Sequence, residues 1–202
     1  GFIGSHVSER LLDLGYEVIG IDNINDYYDP RQKIKNLEIL NKYENFYFTK
    51  EDIVTTNIIN DTKPERICHL AAMAGVRNSI EYPGEYVKVN IEGFINLLEQ
   101  AVKNNISNFV YASSSSVYGL NKKIPFSETD EIVSCNSPYA ASKRSMEVFA
   151  STYNQLYNLP LIGLRFFTVY GPRGRPDMAP YKFLDLISKG KSIDKYGDGT
   201  SM

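Results

Sequence analysis

The sequence has 202 residues, enough for one large domain or two small ones with a real hydrophobic core, which excludes a stapled mini-protein. With 43% hydrophobic and 23% charged residues the composition is globular, so collagen-like, disordered and low-complexity readings fall away. Twenty-two basic against 24 acidic residues leave a net charge of -2, which offers no general attraction for nucleic acid or anionic membrane and leaves room only for a local basic pocket.

Apolar residues at Ile3, Val7, Leu11 and Leu14 fall at helical spacing, and Gly15 supplies the glycine that ends a helix. Glu17 to Asp22 then reads as a short buried strand. A loop through Tyr27, Tyr28, Asp29 and Pro30 leads to a helix with Ile34, Leu37 and Leu40 on one face. Residues 46–49 and 66–70 read as strands. After a small-residue turn from Ala71 to Gly75, the stretch from about Glu85 to Asn104 predicts one long amphipathic helix carrying Val89, Phe94, Leu97, Leu98 and Ala101. A strand over Asn108 to Ser113, a helix over Tyr139 to Tyr157 and a strand over Leu161 to Phe167 complete the series. This alternation predicts an α/β fold with a doubly wound parallel sheet. No repeat and no Pro-, Gly- or Ser-rich linker divides residues 1–202, so one continuous domain is expected.

Cys68, Cys135 and two histidines give neither a disulfide framework nor metal-ligand spacing. No metal is expected, and a reducing, cytoplasmic setting is favoured. No apolar run approaches the roughly 18 residues needed to cross a bilayer. The chain opens on Gly1 instead of Met and stops at Thr200, Ser201 and Met202 after a turn-like Gly197-Asp198-Gly199. It reads as a piece of a longer protein, and a targeting segment or membrane anchor ahead of Gly1 stays open.

Gly1-Phe2-Ile3-Gly4 opens a helix, and about twenty residues later a strand ends in Asp22. A dinucleotide site needs this pairing. Glycines let the backbone approach the pyrophosphate, the helix N-terminus supplies amide donors, and the acid accepts bonds from the adenosine ribose. An acid there repels a 2′-phosphate, which favours NAD over NADP. The alternative makes Gly1 and Gly4 ordinary packing glycines and Asp22, beside Asn23, a cap or turn residue. Asp52, with Ile53, either approaches the adenine or forms a plain Asx turn.

Tyr139 and Lys143 lie four residues apart near the start of a helix, on one face. A free tyrosine titrates near pH 10, so it serves as a base at neutral pH only where an adjacent cation, Lys143 or an oxidised nicotinamide, stabilises the phenolate. Such a phenolate can take a proton from a sugar hydroxyl as its carbon gives up hydride. Ser113 to Ser116, with Val117, Tyr118 and Gly119, directly follow a strand at the carboxyl edge where ligands bind in open parallel sheets. They are either a surface loop or donors aimed into a cleft. At the same edge, His69-Leu70-Ala71-Ala72 offers small residues for close packing against a flat cofactor, with His69 read as a satisfied structural histidine.

Taken in order, Gly1 to Gly4, Asp22, His69 to Ala72, Ser113 to Gly119 and Tyr139 to Lys143 resemble the extended short-chain dehydrogenase/reductase family, and within it the sugar-nucleotide epimerases. Three longer strings narrow the resemblance to UDP-glucuronate 4-epimerases: Asn25 to Pro30, Ala74 to Arg77, and Leu164 to Met178. The resemblance implies a Rossmann-like fold lacking its first strand and most of a C-terminal substrate-binding lobe, with the substrate region starting from about residue 170. It implies NAD as cofactor, a UDP-sugar as substrate, Tyr139 as catalytic base and Lys143 as its partner and a ribose ligand. Ser114 would bond the reacting sugar oxygen, with Ser113 and Ser115 as competitors, while Thr168, Arg175 and Arg77 would face the sugar nucleotide. Arg175 as a solvated loop charge is the alternative, although a guanidinium suits a carboxylate or phosphate.

In the related dehydratases an Asp-Glu pair occupies the positions of Ser115 and Ser116, so this chain lacks the carboxylates for water elimination and epimerisation is the simpler chemistry. Another nucleotide-sugar epimerase, a dehydratase or decarboxylase on the same scaffold, and a non-catalytic NAD-binding fragment are the alternatives. The resemblance also implies a homodimer through a four-helix contact made by Val89 to Leu98 and Met146 to Tyr157, with core packing as the competing reading of those side chains.

Overall fold

The computed structural model describes residues 1–132 and 134–193; the turn expected at residues 197–199 and the end at 200–202 lie outside the described residues. Helix α1 (Phe2–Asp13) runs directly from Gly1 and stops at Gly15, whose φ of 84° is open to a residue without Cβ. There the Gly15 amide bonds the Leu12 carbonyl at 2.9 Å and the Tyr16 amide bonds that of Leu11 at 3.1 Å, a Schellman closure that turns the chain into β1 (Val18–Ile21). Helix α2 (Arg31–Leu40) carries it back to β2 (Phe46–Thr49), which pairs parallel to β1 from Val18 against Phe46 to Ile21 against Thr49.

A second sheet has the order β3-β4-β5, all parallel, from β3 (Arg66–His69), β4 (Asn108–Ser114) and β5 (Leu161–Phe166). Parallel neighbours need crossover helices. Helix α6 (Gly93–Lys103) lies between β3 and β4 in the chain, and α7 (Pro138–Tyr157) between β4 and β5. Both crossovers join β4 in one core, where Phe94, Leu98, Phe109 and Met146 are completely buried. The parallel α/β expectation therefore holds, with the strands in two sheets. Among the described residues no helix is long and apolar enough to cross a membrane.

Three local expectations change. The helix expected from about Glu85 to Asn104 is α5 (Pro83–Tyr86), a π-helical turn (Val87–Glu92) and then α6. Asn90 lies buried in that π turn, bonded to the Met73 amide at 2.8 Å, the Met73 carbonyl at 2.9 Å and the Ser142 hydroxyl at 2.9 Å. On α2 the buried positions are Lys33, Asn36 and Leu40, while Ile34 is 46% exposed. Short helices α3 (Ile58–Thr62) and α4 (Val76–Glu81), and α8 (Ala179–Ser188) after β5, had not been expected.

Candidate active site

Two clusters form at the carboxyl ends of the strands. The first is the turn into α1 with the end of β1. Helix α1 has no side-chain cap and no acid in its first turn, so the amides of Phe2, Ile3 and Gly4 remain free to meet an anion. Gly1 stands at this corner, where a Cβ would lie 4.0 Å from both Asp22 Oδ2 and the Tyr28 hydroxyl, an ordinary contact distance. Asp22 Oδ2 accepts from the Gly1 nitrogen at 3.1 Å, and Oδ1 accepts from the Ile24 amide at 2.8 Å and Lys33 Nζ at 3.2 Å. Burial pushes the Asp22 carboxyl up, while Lys33 and the Ile24 amide pull it down.

Neighbouring positions divide between cleft and core. Asn23 Nδ2 donates to Asp52 Oδ2 at 3.1 Å, and Asp52 Oδ1 closes an Asx turn on the Val54 amide at 2.9 Å. Ile53 sends its side chain into the core, and its carbonyl accepts from Asn96 Nδ2 at 2.9 Å. Leu70, Ala71 and Ala72 run half-buried past the end of β3. A loop after β5 is tied to α1, with His6 Nε2 2.9 Å from the Pro172 carbonyl and Arg173 paired to Glu9 at 2.5 Å. Between them lies a cavity of about 290 Å³ lined by Phe2, Ile3, His6, Val7, Val169 and Tyr170. An open helix N-terminus, a glycine corner and an acid at the strand end fit a dinucleotide.

The second cluster is the end of β4 with the start of α7. Ser137 caps α7 by accepting the Ala140 amide at 3.1 Å, and Pro138 occupies the first turn, so Tyr139 enters the helix at a fixed angle. Lys143 lies one turn on, buried, its Nζ donating to the Ala112 carbonyl at 2.7 Å. Burial pushes its pKa down to about 7. Burial raises the Tyr139 phenol, and the groups that draw it back down are the Ser114 hydroxyl and the Arg175 guanidinium. This corrects the expectation that the Lys143 ammonium stabilises the phenolate, because that ammonium is turned to a backbone carbonyl. The Tyr139 ring meets Tyr86 edge-on at 6.1 Å, and the Tyr86 hydroxyl is fixed by the Gly75 carbonyl at 2.9 Å and Asn78 Nδ2 at 3.1 Å.

The four serines separate. Ser114 both faces Tyr139 and accepts the Ser116 amide at 3.2 Å, opening a 3₁₀ turn over Ser115–Tyr118. Ser113 points the other way, donating to Glu147 Oε1 at 2.7 Å, where Arg165 and Arg144 also bind Glu147. The structure thus takes Ser113 out of the cleft and leaves Ser115 half-buried at its rim. Arg175 enters the site: it pairs with Asp177 at 2.5 Å and lies over the Tyr27 ring at 5.5 Å, so the solvated-charge alternative falls. Thr168 is exposed just past β5, and Arg77 is exposed on α4. His69 is structural, stacked on Phe94 at 5.5 Å, but its Nε2 has no hydrogen-bond partner, and burial, with Lys143 nearby, pushes its pKa down to about 3.

Sequence reasoning missed Lys33, Asn90, Tyr86 and Asp177. One signal was legible. Val89 and Phe94, both assigned to one helical face, are five residues apart, the step of a π turn and not of an α-helix.

The NAD dependent epimerase/dehydratase family matches residues 1–202. The chain is 50% identical to Protein CapI of Staphylococcus aureus over 206 residues, covering 100% of this chain and 61% of that protein. It is 45% identical to the probable UDP-glucuronate 4-epimerase of Rhizobium meliloti over 203 residues, covering 98% of this chain and 60% of that protein. The fold superposes with a TM-score of 0.93 on the crystal structure of UDP-glucuronic acid 4-epimerase from Bacillus cereus in complex with UDP-glucuronic acid and NAD, at 36% identity over 99% of this chain and 64% of the other. The chain therefore spans about 60% of the length of these two curated relatives.

Proposed function

Since this chain belongs to the NAD dependent epimerase/dehydratase family, we propose that the protein containing it inverts C4 of a UDP-sugar, converting UDP-glucuronate to UDP-galacturonate through a transient 4-keto sugar. The observation that carries this reading is the Tyr139 phenol facing the Ser114 hydroxyl with the buried Lys143 one turn on, both clusters lying at the carboxyl ends of parallel strands, Ser114 at the end of β4 and Asp22 after β1. Asp22 and the first amides of α1 would hold NAD by its adenosine ribose and pyrophosphate, with Asn23, Leu70, Ala71 and Ala72 beside it. When bound, that cofactor supplies the acceptor and returning donor of hydride at C4.

Tyr139 takes the proton of the C4 hydroxyl and gives it back after the sugar has turned over. Ser114 holds the C4 oxygen through both transfers, because its hydroxyl can donate as well as accept. A half-buried phenol with a raised pKa needs positive charge to ionise near neutrality, and Arg175 is the cation this chain brings to it. Ser115 and Ser116 offer no carboxylate for dehydration. The 4-keto glucuronate has a carboxylate beta to a ketone and is prone to lose carbon dioxide; Thr168, Ser115 and Arg175 would hold that carboxylate out of the alignment for loss.

Incubation of the full-length protein with UDP-glucuronate, UDP-glucose and UDP-N-acetylglucosamine tests the reading. UDP-galacturonate as the dominant product supports it, and turnover of only the uncharged sugars overturns the uronate assignment. We also propose a homodimer. The side chains named for it divide: Phe94, Leu97, Leu98 and Met146 pack in the core, whereas Val148, Leu156 and Tyr157 on α7 are exposed. Light scattering at twice the monomer mass is expected, and a monomer at working concentration contradicts this surface.

A further inference from the structure

Apolar periodicity turns Ile34 toward the core, yet it is Lys33 that the structure buries, at 7% exposure against 46% for Ile34. An ammonium leaves water only where acceptors meet it. Here Nζ donates to Asp22 Oδ1 at 3.2 Å and to Asn25 Oδ1 at 3.0 Å, and lies 5.5 Å from the centre of the Tyr28 ring. All three partners belong to the segment that follows β1. The acid at the strand end is therefore half of a buried ion pair, with Oδ1 bonded to Lys33 and the Ile24 amide and Oδ2 bonded to the Gly1 nitrogen.

Two consequences follow for an adenosine ribose bound at Asp22. The carboxylate is fixed in one orientation, and Oδ2, which already accepts from the Gly1 nitrogen at 3.1 Å, has a second lone pair for a ribose hydroxyl. Its charge is also largely cancelled at ion-pair distance, so the repulsion a lone acid would exert on a 2′-phosphate is weakened. We propose that Lys33 is a specificity-determining residue of the cofactor site: it positions Asp22 for the ribose hydroxyl, and its buried charge softens the exclusion of a 2′-phosphorylated dinucleotide. This rests on the reading of Asp22 as the ribose acceptor. Discrimination against NADP then comes from a lost hydrogen bond and crowding more than from net charge.

Titration calorimetry of NAD and of NADP into the full-length protein tests this, with thermal unfolding as the check on folding. Wild type should bind NAD more tightly than NADP. Lys33→Met should weaken NAD several-fold and NADP about tenfold more, widening the ratio, because only the phosphate loses a nearby positive charge. Lys33→Arg should restore the ratio. Asp22→Asn should shift preference toward NADP by about tenfold, because Lys33 then faces the phosphate unpaired. A lysine that only supports the fold would weaken both ligands alike, so an unchanged ratio in Lys33→Met overturns the proposal. Where that variant does not fold, an unchanged ratio in Asp22→Asn does so. A shifted ratio in Asp22→Asn with none in a folded Lys33→Met keeps Asp22 as the ribose acceptor and removes Lys33. Binding of neither dinucleotide by wild type overturns the cofactor reading and the proposal with it.

Discussion

Two buried lysines stand in the two clusters, one beside Asp22 and one behind Tyr139 on α7, and they are held in opposite ways. Lys33 rests on a carboxylate and an amide oxygen, whereas Lys143 meets the neutral carbonyl of Ala112. A carboxylate compensates the loss of water around an ammonium; a single carbonyl does so only in part, and burial accordingly pushes Lys143 down to about 7. The paired lysine is held in place by its two acceptors. The other has a charge that changes near neutral pH, which is what a group beside a proton-transferring phenol requires.

The sharpest way to break this contrast is at the phenol. Tyr139→Phe should lower turnover of the full-length protein about a thousandfold while NAD affinity measured by calorimetry stays within a few-fold of wild type. Lys143→Met should cost about a hundredfold in turnover. It should also remove a pH dependence of stability. With a folded pKa near 7, below the ordinary value of 10.5, the unfolded chain holds more protons than the native one between those limits. Wild-type stability therefore rises with pH through that window, by a few kcal/mol at most, and denaturant titrations of Lys143→Met should lose the rise.

His69 gives the acid-side counterpart. Its folded pKa of about 3 lies below the ordinary 6.5, so the unfolded chain takes up a proton that the buried ring refuses. Stability falls as pH drops from 6.5 toward 3, and His69→Gln should flatten that fall by on the order of a few kcal/mol. Smallest is the effect at the rim of the cleft: Thr168→Val should raise the 4-keto pentose by-product several-fold, read as carbon dioxide release, with turnover changed less than that. Unchanged product ratios remove Thr168 from the handling of the carboxylate.

Much of the architecture was legible because it follows from periodicity and punctuation. Gly15 ended α1, the strands at 46–49 and 108–114 stand within a residue of where their apolar runs put them, and Tyr139 and Lys143 fall on α7 as their spacing required. What failed to show were features decided by partners far along the chain. Lys33 is buried because Asp22 lies eleven residues back, and Ser113 leaves the cleft because Glu147 and Arg165 wait behind the sheet. Asn90 belongs to the same class, since Met73 and Ser142 draw it into a π turn. Helices as short as α3 and α4 lack enough residues to express a period at all.

The proton at the C4 hydroxyl and the hydrogen at C4 itself travel by different routes in this account, and one experiment separates them. Full-length protein incubated in ordinary water with UDP-glucuronate carrying deuterium at C4 should yield UDP-galacturonate with the deuterium still on C4, because that hydrogen leaves and returns as hydride without meeting solvent. Product whose C4 deuterium has exchanged for solvent hydrogen would mean that C4 is inverted by loss and regain of a proton, and would contradict the role given to Tyr139.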